Sequence, residues 1–373
     1  MIILYISKLD GRPWVGPTYS VPKQIAGQAK YDDVFWYNLC AEGKSEGIEN
    51  LTKWRGTEYY ADLLKFPTGS VRSLPEPFCH PELIVVEQGY PFARDSIRKE
   101  IQKSGVPYIV IPRGELTESA QSKKRIKKAI GNLVLGYPKF MKNAIAIHCL
   151  TEQEKTETSD KWNKTRIVLP NGTDIPEIQR IERNEHGIKC ASIGRIEPYQ
   201  KGLDLLIYAC AQIKQQLMEA QVQIVLYGSD MEHKLEVIKQ TVIDEGLSEI
   251  VTFKPAIFGK DKDDVLRNCD VFLMPSRFEG HPTGLLEALA YRLPCVATTG
   301  SNMRKEIELA DAGWTADNDA ESIKNALLSM ISDKDKFMEK GRNARNLAKE
   351  YDWNAIARKT HDVYENLLRG NIQ

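Results

Sequence analysis

The sequence predicts an α/β protein built from two doubly wound parallel-sheet units. Three observations predict it. Short apolar runs of buried-strand type recur along all 373 residues. Amphipathic helical stretches separate most of them, which is the pattern of parallel strands covered on both faces. The runs are also too many for one comfortable sheet, so they divide into two.

In chain order the first half offers "IILYIS", "VFWYNL", "ELIVVEQ", "PYIVIP", "AIAIHCL" and "RIVLP". Each is apolar enough for a strand buried on both sides. The second half continues with "IKCASIG", "QIVLYGS", "IVTFKP", "VFLMPS" and "PCVATT". Between them lie helical stretches such as "GLDLLIYACAQIKQQL" and "MEHKLEVIKQTVIDEG". The boundary is placed after "RIVLPNGTD" (Arg166–Asp174), where the polar stretch "IPEIQRIERNEHG" intervenes. This sets a first domain at 1–170 and a second at 171–351.

Composition narrows the function classes. Acidic and basic residues balance at 51 each, so global charge gives no sign of nucleic-acid binding. The seven cysteines are scattered without CxxC spacing and read as buried small hydrophobes in a reducing compartment, not as zinc ligands or disulfides. No apolar run reaches the ~20 residues that span a bilayer. The amino terminus reads as a first strand and not a leader, so a cytoplasmic location is expected. One local cluster breaks the balance: Lys123, Lys124, Arg125, Lys127 and Lys128 fill five of six positions. With Ile126, Ile130, Leu133 and Val134 following, it is either a solvated helix face or a basic amphipathic surface that meets anionic lipid or a lipid-diphosphate acceptor, at the inner face of a membrane.

Two strand–loop–helix junctions carry the chemistry. In "CASIGRIEPYQKGLDLLIYA", Gly194 permits a close turn after a strand, and Arg195 and Lys201 place two cations beside the start of a helix. Guanidinium, ammonium and helix-start amides together make a diphosphate receptor. In "FEGHPTGLLEALAYRLPCVATT", Pro282 suits a first helical turn, and Glu279 and Glu287 bracket it with seven residues between them. Glu287, one turn inside the helix, can accept hydrogen bonds from ribose hydroxyls; Glu279, at the strand tip, can meet sugar hydroxyls or positive charge at a reacting carbon. The other reading makes Glu279 a loop carboxylate and Glu287 a surface residue.

These motifs together resemble the group 1 (family 4) retaining glycosyltransferases. The two spaced glutamates followed by "EALA", the Gly-Arg…Lys-Gly loop, the "LPNGTD" strand and the "YDWNAIARKTHDVYENLL" helix carry the resemblance, over Arg166–Leu368. It implies the GT-B fold, two Rossmann-like domains with parallel sheets facing across a deep cleft. The helix at about 352–373 is then expected to pack back onto the first domain. Carried over by position, Arg195 and Lys201 hold the donor diphosphate, Glu287 the ribose and Glu279 the donor sugar. Amides of Thr283, Gly284 and Leu285 meet the distal phosphate, and Gly194 and Gly16 approach the diphosphate. Tyr227, Gly228, Ser229, Lys254 and Pro255 frame the base.

Three departures stand out: His281–Pro282 replaces an aromatic–Gly pair, the Arg195–Lys201 spacing is one residue longer, and only Gly11 and Gly16 stand where many members carry Gly-Gly. On the acceptor side, Gln88, Arg113 and Glu115 follow strands, and either line the cleft or cap turns. His148 reads as structural, followed by Thr151 as an N-cap with Glu154 three residues on.

The resemblance implies transfer of a sugar from a UDP- or GDP-sugar to a sugar or lipid-linked glycan acceptor, in polysaccharide or lipid-linked glycan assembly. No cofactor or metal is required, because Arg195 and Lys201 neutralise the leaving diphosphate; Asp263–Asp264 lies in a helix start and not on a strand-end loop. A GT-B-fold sugar-nucleotide epimerase, such as a UDP-N-acetylglucosamine 2-epimerase, is the rival enzyme. A nicotinamide-dependent oxidoreductase lacks its G-x-G-x-x-G.

Overall fold

The structure is a computed structural model that describes the chain except residues 43–46, 91–95, 123–130, 133, 178–186, 231–232 and 372–373. It divides into two units, residues 1–172 with 353–373, and residues 173–352. The basic cluster at Lys123–Lys128 lies outside the described residues.

The first unit holds strands β1 (Ile2–Ser7), β2 (Asp33–Asn38), β3 (Tyr60–Asp62), β4 (Leu83–Glu87), β5 (Tyr108–Ile111), β6 (Ala146–Cys149) and β7 (Arg166–Val168). They pair in the order β3-β2-β1-β4-β5-β6-β7, all parallel. In the second unit β8 (Ile188–Ile193), β9 (Val222–Tyr227), β10 (Val251–Lys254), β11 (Val271–Met274), β12 (Cys295–Thr298) and β13 (Gly313–Ala316) pair as β10-β9-β8-β11-β12-β13. Both orders reverse direction beside the first strand, at β1/β4 and β8/β11. A doubly wound sheet places its ligand crevice outside the carboxyl ends of the strands at such a point.

Why these runs become central strands is visible in their burial. Leu83–Glu87 and Tyr108–Ile111 are buried at every position, so neither face reaches water and the strands are apolar throughout except at Glu87, which is paired with Arg113. The edge strands β3 and β13 escaped the sequence reading. "YAD" and "GWTA" are short and carry no apolar run, and only pairing with β2 and β12 makes them strands. Five of the cysteines are buried, and Cys40 and Cys79 are half-buried. Among the described residues no helix is long and apolar enough to cross a membrane.

The closing helix Trp353–Leu368 belongs to the first unit. Gly172, in "PNG", is needed there because a Cβ would lie 2.5 Å from the Trp353 ring. Tyr364, fully buried, sits 2.8 Å from His148 Nδ1, and His148 Nε2 lies 2.7 Å from the Leu169 carbonyl. With Nε2–H donating to that carbonyl, Nδ1 accepts from the tyrosine, so His148 is held neutral and structural. Thr151 caps the helix Glu152–Glu157 through the Glu154 amide. The Glu154 carboxylate departs from a simple capping box: it accepts from the amides of Leu150 and Gly114.

Burial lowers the His148 pKa from 6.5 to about 4. Between those values the unfolded chain binds a proton that the folded chain refuses. This contribution to stability is therefore complete above pH 6.5 and is lost as pH falls toward 4. Moving from pH 7 to pH 5 should cost about 2 kcal/mol through this residue. Urea unfolding of the wild type and of His148→Gln at both pH values checks it, and an unchanged pH difference in the variant refutes it.

Candidate functional site

At the β8/β11 reversal of the second unit, neighbouring strands deliver two loops to one sheet edge. The loop after β8 is stitched to β9 and its continuation. The Gly194 amide donates to the Tyr227 carbonyl at 2.9 Å, and Ile196 donates to Ser229 at 3.0 Å. Gly228 in turn donates to Lys254 at 3.1 Å. Gly228 must lack a side chain, since a Cβ would fall 1.9 Å from the Gly194 carbonyl. At the helix start, Gly202 has φ +61°, and a Cβ would fall 1.9 Å from the Pro275 carbonyl. These contacts press the Arg195–Lys201 loop against the end of β11.

Lys201 Nζ lies 2.7 Å from Glu279 Oε1, and Ser276 Oγ donates to the same oxygen at 2.6 Å. The Glu279 side chain is 11% exposed and that of Lys201 19%, so the pair sits largely out of water. Asn302 Nδ2 donates to the Glu279 and Gly280 carbonyls at 2.6 and 3.0 Å, which fixes the turn behind the carboxylate. Arg195 Nη2 donates to Gln200 Oε1 at 3.1 Å. Glu197 accepts from the Gln200 amide and lies 2.7 Å from Lys234 Nζ. Burial disfavours the Glu197 charge, but the Lys234 ammonium and that amide outweigh it and hold the carboxyl below its ordinary range. Glu287 pairs with Lys262 at 2.8 Å. A small cavity lined by Ser192, Gly194, Arg195, Lys201, Tyr227 and Ser276 opens at this edge.

Arg195, Lys201, Glu279 and Gly194 therefore gather at one sheet edge, and Lys201 and Glu279 are in direct contact. The structure places the other expected site residues as follows. Thr283, Gly284 and Leu285 open the helix Thr283–Ala290, but Thr283 already donates to His281 and Leu285 to Pro282, both at 3.0 Å. Tyr227 offers little ring surface: it is 9% exposed and packs in the core, with Lys254 Nζ 5.9 Å from its ring centroid. Ser229 engages Ile196 through its carbonyl, and Pro255 follows the end of β10. Gly16 lies in the first unit, as the N-cap of the helix Pro17–Gln28. His281 packs beside an aromatic ring. Its ring lies 5.7 Å from Tyr351, and burial lowers its pKa to about 3, leaving it neutral.

Arg113 is the clearest correction. All five of its N–H groups are engaged: Nε and Nη2 with Glu87, Nη2 with Gln24, and Nη1 with Ser20 and Asn171. It clamps the first unit and offers no donor to a ligand. Glu115 accepts from the amides of Gly89 and Tyr90 at 2.8 and 3.2 Å, so it caps the turn after β4. Gln88 adopts φ 67° in that turn and donates its amide to Ile111.

Ser276, Gln200, Glu197, Asn302 and Lys262 were missed. Only Ser276, next to the strand end in "MPSRFEG", had a positional signal; the others are brought in by packing. Among the described residues, Glu76, Cys79 and His80 also gather within 4.8 Å, a possible ligand group the histidine spacing had not suggested.

Comparison with known proteins bears on the family and the fold. The family model described as "Glycosyl transferases group 1" matches residues 174–365. A D-inositol 3-phosphate glycosyltransferase of Paenarthrobacter aurescens is 26% identical over 213 residues, 54% of this chain and 52% of that protein. A putative colanic acid biosynthesis glycosyltransferase, WcaL of Escherichia coli, is 30% identical over 175 residues, 45% of this chain and 42% of that one. The chain thus aligns with about half the length of these relatives. The structure of Anabaena Alr3699/HepE in complex with UDP superposes with a TM-score of 0.75 at 18% identity, covering 98% of this chain and 100% of that one. The likeness shows a shared fold of two Rossmann-like domains.

Proposed function

The chain belongs to the group 1 glycosyl transferases, and from that premise we propose that it moves a sugar from a UDP- or GDP-sugar to an acceptor hydroxyl with retention of configuration. The observation that carries the reading is the Lys201–Glu279–Ser276 contact at the sheet reversal, beside Arg195. A diphosphate seated at this loop gains two cations, and Glu279 lies beside the sugar it carries. As the bond between the anomeric carbon and the phosphate oxygen breaks, charge grows on the diphosphate. Arg195 and Lys201 stabilise that charge more in the transition state than in the ground state, so the chemistry requires no metal. The acceptor oxygen attacks from the face the diphosphate leaves, and its proton passes to the departing phosphate oxygen. The products are the glycoside and the free nucleoside diphosphate. A glycan or lipid-linked glycan acceptor fits the relative named for colanic acid biosynthesis.

Glu287 faces the ribose in this reading, with Lys262 keeping its carboxylate oriented. Removing a contact made equally in ground and transition states raises KM and spares kcat. Glu287→Ala should therefore raise the donor KM about ten- to a hundredfold, in line with the net loss of about one hydrogen bond to a charged group. Melting curves with UDP, GDP and ADP test the donor itself, since ligand at a hundred times Kd adds about 2.7 kcal/mol. No shift with any nucleotide, or a new sugar isomer from UDP-N-acetylglucosamine alone, overturns the reading.

A further inference from the structure

Arg98 is the third residue of the helix Ser96–Ser104, which follows β4 and so begins at the carboxyl edge of the first sheet. It is 7% exposed, and its Nε and Nη1 atoms are buried without a hydrogen-bond partner. Among the described residues it forms no ion pair, and the first turn of its helix carries no acidic side chain. Three effects oppose a cation here: loss of hydration, lack of a counter-ion, and the positive end of a helix dipole. Burial lowers its pKa, and only the hydroxyls of Tyr137 and Tyr108 act in the other direction. A guanidinium does not lose its proton in a protein, so the charge stays. Arg113 in the same unit shows the alternative, with every donor matched. The helix Tyr137–Asn143 packs against the Arg98 helix. Tyr137 stacks on Tyr90 with centroids 4.3 Å apart, and Glu115 holds the backbone turn next to them.

We propose that Arg98 is the receptor for an oxyanion, phosphate or carboxylate, carried by the acceptor substrate. The inference rests on the glycosyl-transfer reading only in assigning the anion to the acceptor. It makes the acceptor class anionic: a phosphorylated carrier or sugar, or a sugar acid. A guanidinium fork is the side chain suited to both, and a site that leaves it unpaired trades fold stability for recognition.

Titration calorimetry and melting curves with inorganic pyrophosphate, glucuronate and chloride at matched ionic strength test this. The full chain is used as wild type, Lys201→Ala, Arg98→Met and Arg98→Lys. The Lys201 variant weakens the donor loop, which also attracts anions. Wild type and Lys201→Ala are expected to bind pyrophosphate or glucuronate, and the better ligand identifies the phosphate or carboxylate source. Arg98→Met should weaken that binding at least about tenfold, as loss of a charge-assisted pair does, while melting no lower than wild type when ligand-free. Unchanged anion affinity in a folded Arg98→Met, or no anion binding by wild type, overturns the proposal. So does loss of all anion binding in Lys201→Ala, which would place the anion in the donor loop alone. Should Arg98→Met fail to fold, Arg98→Lys decides: about fivefold weaker binding supports the fork, and wild-type binding overturns it. The UDP melting shift judges the donor reading separately.

Discussion

Replacing Lys201 with alanine should lower turnover a hundred- to a thousandfold while the protein stays folded. The magnitude is that of removing one charge-stabilising donor aimed at a leaving group, about 3–4 kcal/mol of transition-state stabilisation. Lys201 is suited to this because its ammonium sits 2.7 Å from Glu279 in a pair only 11–19% exposed, where charge is weakly screened. The fold should tolerate the change. Glu279 keeps the Ser276 hydroxyl and a remnant of solvent, and Gly202, which shapes the loop, is untouched. Lys201→Arg keeps the charge and should recover part of the rate. Steady-state kinetics at saturating donor, with circular dichroism as a control on folding, measure it; an alanine variant within threefold of wild type removes the diphosphate assignment.

Arg113→Ala should destabilise the first unit by about 3–5 kcal/mol, the cost of stranding one member of a buried ion pair. Glu87 has no exposure, and burial already pushes its carboxyl pKa up against the opposing effect of Arg113. Without the guanidinium, Glu87 must stay charged and unpaired or take up a proton, and Ser20, Gln24 and Asn171 each lose a donor. The double variant Arg113→Met, Glu87→Gln removes both charges and should recover much of the loss. Urea unfolding gives the difference, and a cost below 1 kcal/mol for the single variant contradicts the clamp.

The contrast between these two basic residues shows what a sequence reading can and cannot reach. Lys201 was legible because its chemistry is local: strand, glycine turn, cation and helix start follow one another within a dozen residues. Arg113 was also placed after a strand, in "VIPRGELTE", and looked equally available. Its fate is set by Glu87, Gln24 and Asn171, which stand 26, 89 and 58 residues away along the chain. Tyr227 makes the same point: how much of a strand-end ring stays open depends on what packs against it, and here it is 9% exposed.

By itself the sequence determined the two-sheet α/β architecture, marked His148 as structural and set a basic loop and a two-glutamate helix start at two strand–helix junctions. All of these follow from periodicity and short-range order. Only the tertiary structure decided the short edge strands, which exist through their neighbours. It also decided which carboxylates the lysines hold, Glu279 for Lys201 and Glu287 for Lys262, and among the described residues it left Nε and Nη1 of Arg98 buried without a hydrogen-bond partner. Charge pairing and dehydration depend on separation in space, and residues tens of positions apart acquire that separation only when the chain is packed.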